Sequence, residues 1–139
     1  MGKQVKIRVK GFQSGTSKEE IVTETYGNML YKEPYYYVSY EEKLDKESEH
    51  GSKTVLRFSK DRLRVTRKGE VESTLEFEKG STHNSLYMTG FGNFEVELTT
   101  ERLYINRHEN GVRLEADYFI GLNSMPPAPG QLSIHIEEI

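Results

Sequence analysis

Residues 60–80 read KDRLRVTRKGEVESTLEFEKG, and apolar and polar side chains alternate along most of this stretch. Leu63 and Val65 alternate with Arg62 and Arg64. A period of two is typical of strands that bury one face. The stretch therefore predicts two strands joined by a turn near its middle.

The same alternation recurs in both directions from this stretch, for example in Val5, Ile7 and Val9 and in Phe94, Val96 and Leu98. Turn signals recur about every ten residues, a spacing expected of an all-β barrel or sandwich. They lie at Lys60-Asp61, Lys68-Gly69, Thr100-Glu101 and Asn110-Gly111. No segment keeps a helical apolar period for three turns. We expect one all-β domain, residues 1–139, built from about 8–10 strands as an antiparallel meander.

The turns also predict the register, because a one-residue slip would send every apolar side chain to the wrong face. Three two-residue loops keep the apolar faces together. Lys60-Asp61 pairs Phe58 with Leu63, Thr100-Glu101 pairs Leu98 with Leu103, and Asn110-Gly111 pairs Ile105 with Ala116. A three-residue loop, Lys68-Gly69-Glu70, aligns Leu63 with Leu75 and Arg67 with Val71, with Gly69 in or near a left-handed conformation.

The basic residues of residues 60–80 are largely balanced by acidic ones in this register. Arg62 lies opposite Glu76 on the solvent face, whereas Arg64 lies opposite Thr74 and next to Arg57. A solvated strand face explains this pattern, and a site for an anion is the alternative. Stacking aromatic residues are not interleaved with the basic ones, so no nucleic-acid partner is expected.

Two arginines share the apolar face of their strands and are the candidates for a binding site. Arg67 follows Leu63 and Val65, and Arg107 follows Leu103 and Ile105. The predicted meander places both at the same end of the barrel, where guanidinium groups could hold a carboxylate or phosphate. The candidate ligand-binding residues at this mouth are Arg67, Arg107, Ser73, Thr54, Met88, Phe94 and Leu114. The alternative is that both arginines reach back into water and close the barrel end.

The sequence gives little support for a metal site, a cofactor site or a catalytic site. The chain has no cysteine, and its four histidines show no metal-ligand spacing. No phosphate loop or nucleophile elbow is present, so no catalytic residue, metal or cofactor is predicted. Residues 33–40 read EPYYYVSY, and their tyrosines place rings on both faces of one strand. They could form a surface for a partner, or they could serve only as strand-forming residues.

Composition and charge favour a cytoplasmic protein. The net charge is -3, and no apolar run has the length of a signal peptide or a membrane span. We therefore expect no membrane association.

Residues 66–94 resemble the YwiB-like family of uncharacterised bacterial calycin-like β-barrel proteins. The matching residues are Arg67, Lys68, Gly69, Ser73, Phe77, Glu78, Lys79, Gly80, Ser85, Leu86, Tyr87, Thr89, Gly92, Phe94 and Glu95. The resemblance implies a closed lipocalin-like barrel and supplies no activity.

These observations favour a non-enzymatic β-barrel that binds a small amphipathic or anionic molecule. The alternative is a protein–protein interaction module or homodimer with a filled barrel. An enzymatic function is the least favoured hypothesis.

Overall fold

In the computed structural model, the residues that the structure describes form ten strands and contain no helix. The structure describes residues 2–13, 21–42, 52–69, 72–90, 92–123 and 125–139. The strands are β1 Lys3–Gln13, β2 Ile21–Lys32, β3 Tyr35–Glu42, β4 Ser52–Phe58, β5 Leu63–Lys68, β6 Ser73–Phe77, β7 Thr82–Thr89, β8 Gly92–His108, β9 Gly111–Leu122 and β10 Ala128–Glu138. The prediction of an all-β fold with about ten strands is confirmed.

All of the strand pairs are antiparallel, and their order closes a barrel almost completely. β1 to β6 pair in succession, β7 to β10 do the same, and β1 pairs with β10. β6 and β7 are the two edges of this sheet, and Glu72 and Met88 join them by two backbone hydrogen bonds of 2.9 and 2.8 Å. We call the contact between β6 and β7 the seam.

Side chains from nine strands fill the middle of the barrel. Burying one such Val, Leu, Ile or Phe side chain contributes about 1.5–3 kcal/mol. The cluster consists of Val5, Ile7, Met29, Val38, Tyr40, Leu56, Phe58, Leu63, Phe77, Leu98, Val112, Leu114, Ala116, Ile134 and Ile136. A ligand therefore has room at the ends or on the outer surface of the barrel rather than at its centre.

The register predicted around Lys60-Asp61 is confirmed, with Phe58 opposite Leu63 and Leu56 opposite Val65. In two other hairpins the partners differ from the prediction by two residues. Leu63 lies opposite Phe77 because the chain reverses over more residues than the three predicted. Ile105 lies opposite Leu114 because the turn is formed by Glu109 and Asn110. A shift of two residues keeps the apolar faces together.

Gly69 has a φ of 142°, in the positive region that the loop after β5 was expected to need. The predicted alignment of Arg67 with Val71 is wrong by the same two residues, since Arg67 lies opposite Ser73. The structure does not describe residues 70–71.

The hairpin predicted at Thr100-Glu101 is wrong. β8 runs through these residues as one strand of 17 residues, and its register against β9 shifts between Thr100 and Arg102. Glu101 is the extra residue of a β-bulge. The bulge switches the inward-facing positions from even to odd, which is why Leu98 and Leu103 both face inward although no turn separates them.

Candidate functional site

The continuous β8 places the two candidate arginines at opposite ends of the barrel. Neighbouring antiparallel strands alternate in direction, so β5 and β8 run in opposite directions. Arg67 lies near the end of β5, and Arg107 lies near the end of β8. The predicted shared mouth is therefore wrong. We call the two ends the Arg67 end and the Arg107 end.

The Arg67 end contains most of the other predicted site residues. Thr54 is a cross-strand partner of Arg67, as expected, and Ser73 lies at the position on the other side of Arg67 that was predicted for Val71. Phe94 lies opposite Tyr87 at this end, rather than near Arg107 as predicted. Arg67 is already engaged in an interaction within the protein.

Met88 does not line a mouth, contrary to the prediction. Along β7 the exposed positions alternate with half-buried ones. Met88 occupies one of the exposed positions, and 38% of the residue is accessible. Tyr87 takes the other face, opposite Phe94. The sequence pattern had placed Met88 inside because it is the apolar one of two alternate positions of this strand.

At the Arg107 end the structure shows a pocket of about 320 Å³. It lies between the start of β1, the β2–β3 hairpin and the β8–β9 hairpin. Its lining residues are Lys3, Met29, Leu30, Tyr31, Tyr36, Arg107, His108, Glu109, Gly111, Val112 and Glu138. Leu114, the predicted neighbour of Arg107, is 1% exposed and belongs to the core beneath this pocket. We call this site the Arg107 pocket.

Aromatic rings give the Arg107 pocket one apolar side. The guanidinium of Arg107 lies over the ring of Tyr36, with 4.8 Å from its Cζ to the ring centroid. The Tyr31 ring is 4.6 Å from the Tyr36 ring, and Phe58 stacks on the other side of Tyr36 at 5.4 Å. This stack holds Tyr36 in place, and cation–π contact holds the guanidinium against it.

The charges of the pocket leave Arg107 available. Lys3 is neutralised by Glu138, with 3.3 Å between Nζ and Oε1. Within the described part of the chain, Arg107 forms no ion pair and is exposed. An exposed guanidinium presents several N–H donors in a fixed geometry that matches a carboxylate or phosphate. The pocket therefore combines a cation that has no ion-pair partner with an aromatic wall, and its lining also includes the carboxylate of Glu109.

Arg57, Arg62 and Arg64, which we call the basic strip, are mostly paired, as the sequence pattern indicated. Arg64 donates from Nε to Glu76 at 2.6 Å, and Arg62 forms an ion pair with Glu78. These partners are shifted by two residues from the predicted ones. Arg57 lies opposite Arg64, as predicted, and its guanidinium covers the ring of Tyr35 at 4.5 Å. The strip resembles a solvated strand face more than a site for an anion.

Histidine and acidic side chains form contacts in pairs, and no group of three or more that could hold a metal occurs among the residues described. His83 lies 3.3 Å from Glu76 across the seam. His135 faces outward next to His108, with ring centroids 5.7 Å apart. Of the residues in these pairs, only His108 lines the Arg107 pocket.

Sequence reasoning missed two features of the surface. Tyr31 and Tyr36 lie in the Arg107 pocket, and the cation–π contact could not be found without knowing that β3 and β8 meet at this end. A larger cleft, of about 780 Å³, lies on the outer face of β7 and β8, where residues 125–127 cross it. Leu86 is the exposed apolar side chain of β7 that lines it.

Comparisons with known proteins agree with the fold. The sequence matches the family described as "Domain of unknown function (DUF1934)" over residues 5–136. The structure is similar to the crystal structure of the ywiB protein from Bacillus subtilis, with a TM-score of 0.85 and 22% sequence identity, covering 99% of this chain and 93% of that one. The resemblance to the YwiB-like family is thus confirmed. A comparison with curated proteins finds no match. Among the described residues, no helix has the length and apolar character needed to cross a membrane.

Proposed function

The chain belongs to the DUF1934 family, whose description gives no activity, and we propose from its geometry that it is a non-enzymatic protein that binds a small amphipathic anion in the Arg107 pocket. The binding would take place in the cytoplasm, in agreement with the composition. Barrels of about eight strands include proteins that hold one small ligand, such as lipocalins. That comparison is an analogy of fold and does not identify the ligand.

One observation carries the proposal. The guanidinium of Arg107 is held against Tyr36 at 4.8 Å and has no carboxylate partner among the described residues. An acidic group of the ligand would take the place of that partner. Its apolar part would lie against Met29, Tyr31 and Val112, which line the same pocket. The volume of about 320 Å³ is at the lower end of the range for small-molecule sites, about 300–1,000 Å³.

The proposal is tested with an amphipathic anion of known structure, the fluorescent aromatic sulfonate 8-anilinonaphthalene-1-sulfonate. Titration should show saturable binding to the wild-type protein. Arg107→Met removes the charge and keeps most of the apolar stem. We expect it to raise the Kd about tenfold or more, because a hydrogen bond to a charged group contributes about 1.5–3 kcal/mol.

The matched control is Arg113→Met. Arg113 lies on β9 of the same hairpin, opposite Asn106, and is paired with Glu115 at 3.3 Å. The Arg113→Met substitution removes the same charge as Arg107→Met, but outside the pocket, and should leave the Kd for the sulfonate unchanged. Equal Kd values for wild type and Arg107→Met would contradict the proposal. If Arg107→Met instead lowers the midpoint of urea unfolding and loses binding with it, Arg107 serves to close the barrel end.

The alternative function is an interaction module or homodimer that uses the outward tyrosines. Tyr35 and Tyr37 pack against each other with centroids 6.5 Å apart, and Tyr26 is 61% exposed on the neighbouring strand. Native mass spectrometry of freshly purified protein separates the two functions. An extra mass that is lost on denaturation supports a bound small molecule, whereas a dimer or a co-purifying protein supports the alternative.

A further inference from the structure

A second concave site lies on the outer surface, away from the Arg107 pocket. The outer cleft has a volume of about 780 Å³. Its lining residues are Asn84, Ser85, Leu86, Glu95, Val96, Glu97, Gly121, Met125, Pro126 and Pro127. One side is β7, the floor is β8 with the end of β9, and the other side is the segment from Met125 to Pro127.

The wall formed by residues 125–127 is anchored to the sheet. The N–H of Asn123 donates to the carbonyl of Glu95 at 2.9 Å, and the N–H of Glu95 donates to the side-chain Oδ1 of Asn123 at 2.8 Å. Gly121 lets the segment approach the floor, since a Cβ there would lie 3.1 Å from the carbonyl oxygen of Met125. A wall that is fixed before binding lowers the entropy lost when a partner binds.

The cleft combines acidic and apolar side chains. Glu95 and Glu97 are both exposed on the outer face of β8, and none of the ion pairs in the described part of the chain involves either. Beside them, the side chains of Leu86 and Met125 are 52% and 65% exposed. Leu86 lies directly opposite Glu95 on the neighbouring strand. The cleft therefore has the opposite charge preference to the Arg107 pocket.

We propose that the outer cleft binds an extended peptide segment of a partner protein that carries two basic side chains two positions apart, flanked by large apolar ones. Glu95 and Glu97 are themselves two positions apart on a strand, a separation of about 7 Å. An extended peptide repeats its same-face side chains at this distance, so two basic groups can reach the two carboxylates together. Leu86 and Met125 contact the flanking apolar side chains, and methionine adapts its shape to different partners.

Fluorescence anisotropy with a labelled peptide, Leu-Ser-Lys-Ser-Lys-Ser-Leu, tests this proposal on the full-length protein. In this peptide the lysines and leucines share one face of an extended chain. We expect saturable binding that weakens as salt is added, because the attraction between exposed charges is screened. Replacing both lysines of the peptide by glutamate should abolish binding.

Variants of the protein locate the site. The double variant Glu95→Gln with Glu97→Gln should raise the Kd about fivefold, the effect expected for two exposed ion pairs. Leu86→Ser should also raise it. The control is Glu33→Gln with Glu101→Gln, which removes two exposed carboxylates elsewhere and should leave the Kd unchanged. Arg107→Met should not affect this binding, so the two sites are tested independently.

Three results would overturn the proposal. The first is a Kd that Glu95→Gln with Glu97→Gln leaves unchanged, or that the control variant raises equally. The second is equal binding of a peptide in which serine replaces both leucines, which would make the occupant a simple polycation. The third is a concentration-dependent dimer that the Glu95→Gln and Glu97→Gln changes dissociate, since the occupant would then be a second copy of this chain.

Discussion

Gly130 shows how one residue constrains the interior of the barrel. It lies opposite Tyr118, and a Cβ at this position would lie 2.6 Å from two atoms of the Tyr118 ring. The ring also packs edge-on against Phe77, with centroids 5.5 Å apart. Burial raises the pKa of the Tyr118 phenol above its ordinary value. The absence of a side chain at Gly130 thus makes the space that the tyrosine ring fills.

We predict that Gly130→Ala destabilises the protein by about 1–3 kcal/mol, the usual cost of inserting a methyl group into a well-packed interior. The free energy of unfolding in urea measures this. The cost should fall when Tyr118→Leu is introduced as well, because the alanine then meets no ring.

Gly11→Ala is the control for Gly130→Ala. Gly11 also lies in a strand, but a Cβ there would have no atom within 4 Å. This variant should be neutral or slightly stabilising, as expected for glycine replaced in an unstrained strand. Equal effects of the two substitutions would show that the contact with Tyr118 does not limit position 130.

The sequence predicted individual site residues unevenly. It placed Arg107 on the inward face and paired Arg67 with Thr54, and both predictions are confirmed. On the other side of Arg67 it predicted Val71, where the structure has Ser73. It failed for Met88 because β7 carries apolar residues on both faces, so alternation alone does not identify the inner one. In the structure, Leu86 and Met88 lie on the outer face of β7 and are exposed.

β8 is the element that decides where the sites lie. Its bulge at Glu101 lets one strand of 17 residues bury even positions in its first part and odd positions in its second. We predict that a protein lacking Glu101 still folds cooperatively, because Thr100 and Arg102 already lie opposite the consecutive residues Tyr118 and Asp117. The deletion turns β8 into a regular strand and keeps Leu103, Ile105 and Arg107 on the inward face. Far-UV circular dichroism during thermal unfolding is the measurement.

The comparison for this deletion is Glu101→Ala, which keeps the extra residue and changes an exposed side chain. It should alter the free energy of unfolding by less than about 0.5 kcal/mol, as most surface substitutions do. A deletion variant that loses cooperative unfolding would mean that the local bend of the bulge is itself needed to close the barrel.

At the scale of the whole molecule, the barrel depends on pairing its first strand with its last. β1 and β10 pair from Val5 with Glu138 to Gln13 with Gly130, and Ile134 and Ile136 of β10 are fully buried. We predict that removing residues 132–139 leaves a chain that associates, because the edges of β1 and β9 become exposed. Size-exclusion chromatography with light scattering detects this.

Removing Ile139 alone is the matched truncation. Its side chain is 71% exposed, and its backbone makes one hydrogen bond, to Gln4. The resulting protein should elute and unfold like the wild type. A soluble monomer after removal of residues 132–139 would show that the remaining nine strands close without β10.

The sequence by itself determined the fold class, the approximate number of strands and most of the inward-facing residues, because burial of one strand face imposes a period of two on the apolar side chains. The tertiary structure decided how those strands connect at Thr100-Glu101. A two-residue hairpin and a one-residue bulge both change the inward positions from even to odd, so they leave the same sequence pattern. The long-range pairing of β8 with β9 selects the bulge, and it thereby places Arg107 at the opposite end from Arg67.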